Sequence, residues 1–138
     1  MRFVLDTNVV VSAVIWGGLP YRLLQAATDG DIELYTSLAL LAELRAVLSR
    51  EHLASRLVRE QASVDEAISF YGDLAISVSP LDVPLAVPRD ADDDQVVAAA
   101  VAASANAIVT GDADLLSMRS YRGIPIITAA QAVQQIGG

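Results

Sequence analysis

Short apolar runs alternate with longer segments of helical spacing along the chain. The first run, Arg2-Phe3-Val4-Leu5, ends at Asp6 and is typical of a buried strand. Strands alternating with helices are typical of an α/β sandwich around a mostly parallel sheet. Four later β-prone runs predict the other strands, at residues 32–36, 76–78, 107–110 and 124–128.

The segments between these runs predict helices. An apolar stretch at residues 9–15 follows a turn at residues 6–8, and a glycine pair ends it. Ser37 is the expected N-cap of a helix that runs to residue 48, because apolar residues recur there at helical spacing. The other helices are predicted at residues 21–28, 54–75 (two helices), 95–105, 113–118 and 129–136, with a loop at residues 80–88.

The composition predicts one domain over residues 1–138 with a sizeable core, since 54% of the residues are apolar. No apolar run approaches the roughly 20 residues that a membrane-spanning helix needs. The first six residues are interrupted by charge too early for a signal peptide. We therefore expect a cytoplasmic protein that does not associate with membranes. The absence of cysteine excludes disulfides, thiolate catalysis and zinc–thiolate sites.

The charge balance is acidic, with a formal net charge of -8, and all nine basic residues are arginine. Phosphate binding is driven by positive charge, so an acidic protein is a poor general binder of nucleic acid. A nucleic-acid role is compatible with this charge only if the acids are concentrated where a cation neutralises them. The positions of the 17 acidic residues are therefore informative.

Two aspartates directly follow predicted strands. Asp6 follows the first strand, and Asp112 lies in the sequence Gly111-Asp112-Ala113-Asp114 after the fourth. Ligands of open α/β sheets bind beyond the carboxyl ends of the strands, so both side chains are candidates for one site. Each aspartate alone could equally be the N-cap of the helix that follows it.

An acidic run precedes the helix predicted at residues 95–105. Asp90-Ala91-Asp92-Asp93-Asp94 places four aspartates within five residues. The helix dipole stabilises one or two acids at a helix start, but four of one sign repel each other. A bound cation would remove that cost, and Asp94 is the best placed of the four, in the first helical turn.

A fourth candidate acid, Glu43, lies at the margin of an apolar helix stripe. The stripe of its helix centres between Leu44 and Leu48, which places Glu43 about 100° away on the helical wheel. The side chain can therefore point into a neighbouring crevice, or it can be an ordinary boundary residue. With Asp6, Asp94 and Asp112 it would complete a pocket of four acids.

A pocket of carboxylates favours a hard cation such as Mg²⁺ or Mn²⁺, which takes oxygen ligands. The sequence lacks the residues that other kinds of hydrolytic catalysis require. The one histidine, His52, lies between predicted helices and is expected at the surface. Serine-hydrolase chemistry therefore has no convincing base, and no Gly-rich phosphate loop with a lysine is present.

The chain resembles the PIN domain, the nuclease domain of many bacterial toxin–antitoxin toxins, including VapC-like ribonucleases. The resemblance covers essentially the whole chain, in the right order. Each motif alone is weak, but four in order at this spacing are specific. The motifs are Leu5-Asp6-Thr7-Asn8-Val9, residues 37–48 around Glu43, Arg89-Asp90-Ala91-Asp92-Asp93-Asp94, and Val109-Thr110-Gly111-Asp112-Ala113-Asp114-Leu115-Leu116.

The resemblance implies a three-layer α/β/α sandwich with a five-stranded parallel sheet. The three consecutive aspartates depart from the family pattern, so the ligand could be Asp92 or Asp93. Asp94 is preferred because its spacing to the following small-residue helix fits the family. Carried over residue by residue, the catalytic metal ligands would be Asp6, Glu43, Asp94 and Asp112, with Asp114 as a fifth acid and Thr7, Asn8, Thr110, Asp92 and Asp93 in support.

The activity that this resemblance implies is metal-assisted hydrolysis of RNA phosphodiester bonds. One or two Mg²⁺ or Mn²⁺ ions would activate water and stabilise charge on the scissile phosphate. The implied partners are the RNA substrate, an antitoxin protein and a second copy of the chain in a homodimer or higher oligomer. Arginines outside the pocket would contact the RNA backbone, and the candidates are Arg22, Arg45, Arg50 and Arg89.

Two alternatives remain at this level. A magnesium-dependent phosphatase also places an aspartate after its first strand. Its second acid, however, would stand where this chain has Asn8, and the chain has no lysine to bind phosphate. A regulatory binding subunit is the other alternative. Residues 98–105 and 9–16 could then form a homodimer interface, although either segment could equally pack in the core.

Overall fold

A six-stranded sheet is the centre of the computed structural model, which describes residues 1–80 and 91–137, with side chains from residue 93 onward in the second range. The order across the sheet is β3-β2-β1-β4-β6-β5, and all strands but β5 run parallel to their neighbours. In chain order the strands are β1 (Arg2–Leu5), β2 (Glu33–Thr36), β3 (Ile76–Ser77), β4 (Ala107–Val109), β5 (Ser120–Tyr121) and β6 (Ile124–Ile127).

The strand order reverses beside β1. The chain adds β2 and β3 on one side of β1, and then crosses to add β4 and β6 on the other side. At the last residue of both strands, Leu5 of β1 pairs with Val109 of β4. Asp6 and Thr110 therefore leave the sheet side by side. This reversal point, at the carboxyl ends of the parallel strands, is where α/β sheets bind ligands.

The five predicted strands are present, and the sheet has a sixth strand that was not predicted. The additional strand, β5, pairs antiparallel with β6 across the turn residues Arg122 and Gly123. Both turn residues have positive φ, 48° and 81°, as a two-residue hairpin turn requires. Gly123 was the only local signal for this turn, because arginine rarely adopts such a conformation.

Eight helices flank the sheet in the described part of the chain. Most agree with the prediction within two or three residues, which is the ordinary uncertainty of helix ends. They are α1 (Thr7–Ile15), α2 (Gly18–Thr28), α3 (Leu38–Leu48), α4 (Glu51–Arg59), α5 (Val64–Leu74), α6 (Ala91–Ala102), α7 (Ala113–Met118) and α8 (Ala129–Gln135).

Two helices begin earlier than their apolar pattern indicates. Helix α1 begins at Thr7 because the Asp6 side chain caps it, so the expected turn at residues 6–8 is already helical. Helix α6 begins at Ala91, four residues before the predicted start, and so takes in most of the acidic run. Acidic residues are favourable in a first helical turn, where the helix dipole is positive.

Alternate strand residues face opposite sides of the sheet, which gives the molecule three layers. Phe3 and Leu5 of β1 face one helical layer, and Val4 faces the other. The first layer contains α1 to α5 and α8, and the second contains α6 and α7. The expected α/β/α sandwich is therefore confirmed, with a mostly parallel sheet.

Both segments considered for a homodimer interface contribute instead to the core. The apolar residues of α1 are buried against α2 and α3, and at its end only Trp16 is largely exposed. Ala98, Ala99 and Ala100 of α6 are buried against the sheet. Small residues allow α6 to lie close to β1 and β4.

No single described helix is long and apolar enough to cross a membrane. Helices α1 and α2, which are bent by 96° relative to each other, pass the test only when they are joined as a pair, and only by length and composition.

The loop predicted at residues 80–88 lies, from residue 81 onward, outside the described residues.

Tyr71 of α5 is buried, and its hydroxyl has no hydrogen-bond partner among the described residues. An unsatisfied buried hydroxyl is costly, so Tyr71→Phe should leave the free energy of unfolding unchanged or raise it by up to about 1 kcal/mol near neutral pH. Urea denaturation measures this, with the exposed Tyr21→Phe as control. A loss above about 1 kcal/mol would contradict the burial account.

Burial also raises the pKa of the Tyr71 phenol, because the phenolate would be desolvated. Because the folded protein holds this proton more tightly than the unfolded chain does, the raised pKa makes the free energy of unfolding depend on pH. Its full value is present below the pKa of an unfolded tyrosine, about 10, and it falls as the pH rises towards the higher pKa of the folded state. Above pH ~10 the wild type should lose stability faster than Tyr71→Phe. Parallel curves for the two proteins would contradict this prediction.

Candidate active site

Asp6 directly follows β1 and lies at the reversal point of the sheet. Its backbone N–H donates to the Val109 carbonyl at 2.9 Å, which joins it to β4. Its Oδ1 accepts a hydrogen bond from the Thr7 N–H at 2.8 Å and caps α1. The side chain is only 4% exposed. Asp6 is thus a helix cap whose carboxylate is also buried at the expected site.

Thr110 connects the two strand ends through its side chain. Its hydroxyl donates to Asp6 Oδ2 at 2.7 Å. The Thr110 hydroxyl oxygen in turn accepts a hydrogen bond from the Asp112 N–H at 3.0 Å. Thr110 is fully buried, and its own N–H donates to the Ile127 carbonyl of β6. One hydroxyl therefore sets the position of Asp6 relative to Asp112. Sequence analysis expected only a general supporting role for this residue.

Asp112 repeats the arrangement of Asp6 on the neighbouring strand end. It is the N-cap of α7, and its Oδ1 accepts the Asp114 N–H at 3.0 Å. Asp112 is half-buried, whereas Asp114 in the first turn of α7 is exposed. Both candidate acids therefore lie beside Asp6, but Asp114 faces solvent.

Helix α6 begins at the same end of the sheet, because it leads into β4 and packs against β1 and β4. Asp93 and Asp94 in its first turn are only 4% and 3% exposed. A solvated acidic helix start would leave both side chains in water, so these two have a different role. Asp94 remains the preferred ligand, and Asp93 is an equally buried alternative.

Glu43 lies one turn after Leu40 on α3, a helix that begins after β2 and contacts both α1 and α6. Leu40 packs with α6, while Leu44 and Leu48 pack on the α1 side. Glu43 is half-buried, and its Oε2 is shielded from solvent. Glu43 therefore lies on a helix that contacts both the helix after Asp6 and the helix that contains Asp94.

The predicted polar supports have unequal surroundings. Thr7 is buried, and its hydroxyl has no hydrogen-bond partner among the described residues. Asn8 is exposed at the mouth of the site. Of the acidic run, Asp90 lies outside the described residues, as does the side chain of Asp92.

The candidate arginines all lie on the outside of the molecule where the structure describes them. Arg22 and Arg50 are exposed, on α2 and at the start of α4. Arg45 is also exposed and donates to Asp65 Oδ1 at 2.6 Å, an ion pair that the sequence did not predict. Arg89 lies outside the described residues. His52 is exposed on α4, as expected.

The donor chemistry of this end of the sheet suits a hard cation. The acids are Asp6, Asp93, Asp94 and Asp112, so every side-chain ligand would be an oxygen. Within the described residues, no three acidic or histidine side chains are close enough together to form a complete ligand group. Mg²⁺ usually keeps several waters and takes one or two protein carboxylates, so the residues present fit such an ion.

Comparison with known families matches residues 2–114 to the PIN domain. The match includes the strand ends that carry Asp6 and Asp112, the helix with Glu43 and the start of α6. The chain belongs to the PIN domain family.

Two relatives extend this comparison. The chain is 30% identical over 120 residues to the uncharacterized protein MJ1680 of Methanocaldococcus jannaschii, covering 86% of this chain and 76% of that protein. The fold of the present chain is similar to that of a chain in a second match, the crystal structure of VapBC2 from Rickettsia felis bound to a DNA fragment from their promoter. That match has a TM-score of 0.65 and 16% identity, and it covers 93% of this chain and 98% of the other.

The bond from Thr110 to Asp6 should contribute measurably to stability. Thr110→Val keeps the shape of the side chain but removes the donor to Asp6 Oδ2 and the acceptor of the Asp112 N–H. We expect it to lower the free energy of unfolding by about 1–3 kcal/mol, with recovery in Thr110→Ser. Urea denaturation measures the loss.

The control for this prediction is Thr28→Val, which removes an exposed hydroxyl that donates to the Leu24 carbonyl at 3.0 Å. The control should change stability by less than about 0.5 kcal/mol. If Thr110→Val were as stable as the control, the bond would not hold the strand ends together.

Proposed function

We propose that this chain is a metal-dependent endoribonuclease, the toxin component of a bacterial toxin–antitoxin system. The observation that carries the proposal is the pair of hydrogen bonds through Thr110. They hold Asp6 and Asp112 together at the reversal point of a PIN-family sheet. Nuclease chemistry needs such acids at a fixed separation, and the buried aspartates of α6 lie at the same end.

The residues proposed to hold Mg²⁺ or Mn²⁺ are Asp6, Asp94 and Asp112, with Glu43 as the fourth acid, and each ion would take one or two of these carboxylates and complete its coordination with water. When bound, one or two ions supply charge stabilisation at the scissile phosphate and a water of lowered pKa. Asp6 suits a ligand because the Thr7 N–H and the Thr110 hydroxyl hold its carboxylate in one orientation. Such second-shell hydrogen bonds typically set the affinity of a metal site.

The protein around these acids would orient the RNA. Helices α1, α6 and α7 all begin at this end of the sheet, and the positive ends of their dipoles favour negative charge there. The net charge of -8 would repel RNA from the metal-free protein. Metal binding would therefore precede RNA binding. Exposed arginines such as Arg22 and Arg50 would then contact the backbone.

An antitoxin protein is the proposed partner. The support is the similarity in fold to a chain of the VapBC2 complex, which extends over nearly the whole of both chains. We also propose that the protein acts in the cytoplasm as a homodimer or higher oligomer. The core packing of residues 9–15 and 98–100 means that another surface would have to form that contact.

The first test of the proposal is RNA cleavage in Mg²⁺ or Mn²⁺. Asp6→Asn keeps an oxygen that can cap α1, since asparagine and aspartate are comparable N-caps, but it removes the charge. We expect Asp6→Asn and Asp94→Asn to reduce cleavage by about a hundredfold or more, while exposed Asp73→Asn on α5 cleaves like the wild type. Thermal denaturation of each variant controls for folding. Wild-type rates in both site variants would overturn the assignment.

Metal binding provides a second and independent test. Calorimetry with Mn²⁺ should show one or two ions bound to the wild type, and the melting temperature should rise with Mn²⁺ concentration. Asp94→Asn should weaken the affinity by about 10–100-fold, and Asp73→Asn should not change it. Absence of both binding heat and thermal stabilisation in the wild type would contradict the metal site. A loss confined to Asp93→Asn would instead assign the ligand to Asp93.

A further inference from the structure

A cavity of about 320 Å³ opens beside the candidate active site. Thr110 and Gly111 form one wall, Asn8 and Ser12 of α1 a second, and Leu19 and Pro20 of α2 a third, with the first turn of α8 closing the space. We call this space the Gly111 cavity. Its volume is at the low end of the roughly 300–1,000 Å³ typical of small-molecule sites. It shares Thr110 with the carboxylate of Asp6, so an occupant would lie next to the reacting phosphate.

The lining of the Gly111 cavity is uncharged. None of its described lining residues carries an ionisable side chain, although the neighbouring end of the sheet is rich in aspartate. A phosphate group would meet no cationic side chain in such a space, and positive charge is what drives phosphate binding. An uncharged, flat group with polar edges fits it better.

The polar and apolar walls match the two kinds of surface on a nucleobase. Asn8 and Ser12 are four residues apart on α1, so they lie on the same side of the helix. Their amide and hydroxyl can both donate and accept, as the edge of a base requires. Leu19 is 44% exposed and offers an apolar surface to the face of the base.

Gly111 itself is not explained by the fold. Its φ lies outside the left-handed region, so any residue could adopt its backbone conformation. A Cβ added there would meet no atom within 4 Å, so packing does not require a glycine either. Glycine is also used where a ligand approaches the backbone closely, and Gly111 lies between Thr110 and Asp112 on the wall of the cavity.

We propose that the Gly111 cavity binds one unstacked base of the RNA substrate, that of the nucleotide next to the scissile phosphate. This inference rests on the proposed ribonuclease function and deepens it. A base can enter the cavity only when it is not stacked in a helix, so the test uses single-stranded RNA. The acids would position the phosphate, and the cavity would select the position on the strand.

The test compares substrates with and without that base. The cleavage site is first mapped on an unmodified single-stranded RNA. Two further substrates then carry an abasic ribose on one or the other side of the cut. Wild-type protein should prefer the intact RNA to one of these by about tenfold or more in kcat/KM. Binding is measured in parallel by fluorescence anisotropy of the labelled RNAs.

The variant that fills the cavity is Gly111→Leu. It should lower kcat/KM for intact RNA by about tenfold or more and remove most of the preference for intact over abasic RNA. Its melting temperature and Mn²⁺ affinity should stay close to those of the wild type, because a Cβ at this position meets no atom within 4 Å. Leu19→Ala, which removes the apolar wall, should weaken the same preference. Gly72→Ala on α5 is the matched control and should leave cleavage, the preference for intact RNA and Mn²⁺ affinity unchanged, while alanine in the helix raises the melting temperature slightly.

The outcomes separate the inference from the function on which it rests. Wild-type protein that neither binds nor cleaves any of the RNAs overturns the proposed function and the base site with it. Wild-type protein that cleaves intact and abasic RNA equally well overturns the base site alone. The base site is also overturned if Gly111→Leu keeps the full preference for intact RNA. If Gly111→Leu does not fold, Gly111→Ala and Leu19→Ala provide the same comparison.

Discussion

The hydrogen bond from the Thr110 hydroxyl to Asp6 Oδ2 joins the two strand ends on which the rest of the site depends. Strands β1 and β4 are far apart in sequence, and their last residues pair directly. Strand pairing alone would not fix the orientation of the side chains that follow this pair. Because the same hydroxyl accepts the Asp112 N–H, the carboxylates at the starts of α1 and α7 have a defined relation.

Capping and function are not alternatives at these positions. Asp6 and Asp112 each cap the helix that follows them, as the structural interpretation of the sequence expected. Yet a helix that follows a parallel strand always begins at the carboxyl end of the sheet. The N–H groups there stabilise a carboxylate in a fixed place. The fold therefore fixes the positions of two acids at this end of the sheet.

The burial of the acids in α6 shows a second consequence of this architecture. A helix that leads into β4 has to start where the site lies, so the first turn of α6 is at this end of the sheet. Asp93 and Asp94 are buried there in a protein that already carries a net charge of -8. Burying carboxylates is costly unless hydrogen bonds or a cation compensate. The neighbouring Gly111 cavity is lined by uncharged residues, so an acidic and an uncharged surface adjoin at this end of the sheet.

Local patterns in the sequence predicted the class of fold, which the structure confirms, and identified the candidate acids of the site. Apolar periodicity located five strands, and the order of acids at strand ends and helix starts identified the PIN resemblance. These features are local, since each depends on residues within one turn or one strand. The hairpin of β5 was missed because Arg122 adopts a positive φ, a conformation that an arginine in a sequence does not indicate. The early starts of α1 and α6 were missed because capping and the helix dipole act on polar residues, which hydrophobic spacing does not report.

Only the tertiary structure decided how these elements meet. The contact of Thr110 with Asp6 joins residues 104 positions apart, and the Gly111 cavity is formed by three helices and two strand ends. The tertiary structure also showed that the apolar stretch at residues 9–15 and the alanines of α6 are core residues. Whether a helix face is buried depends on which other elements pack against it. Distances between remote segments come from the packing of the whole chain, and no local pattern contains them.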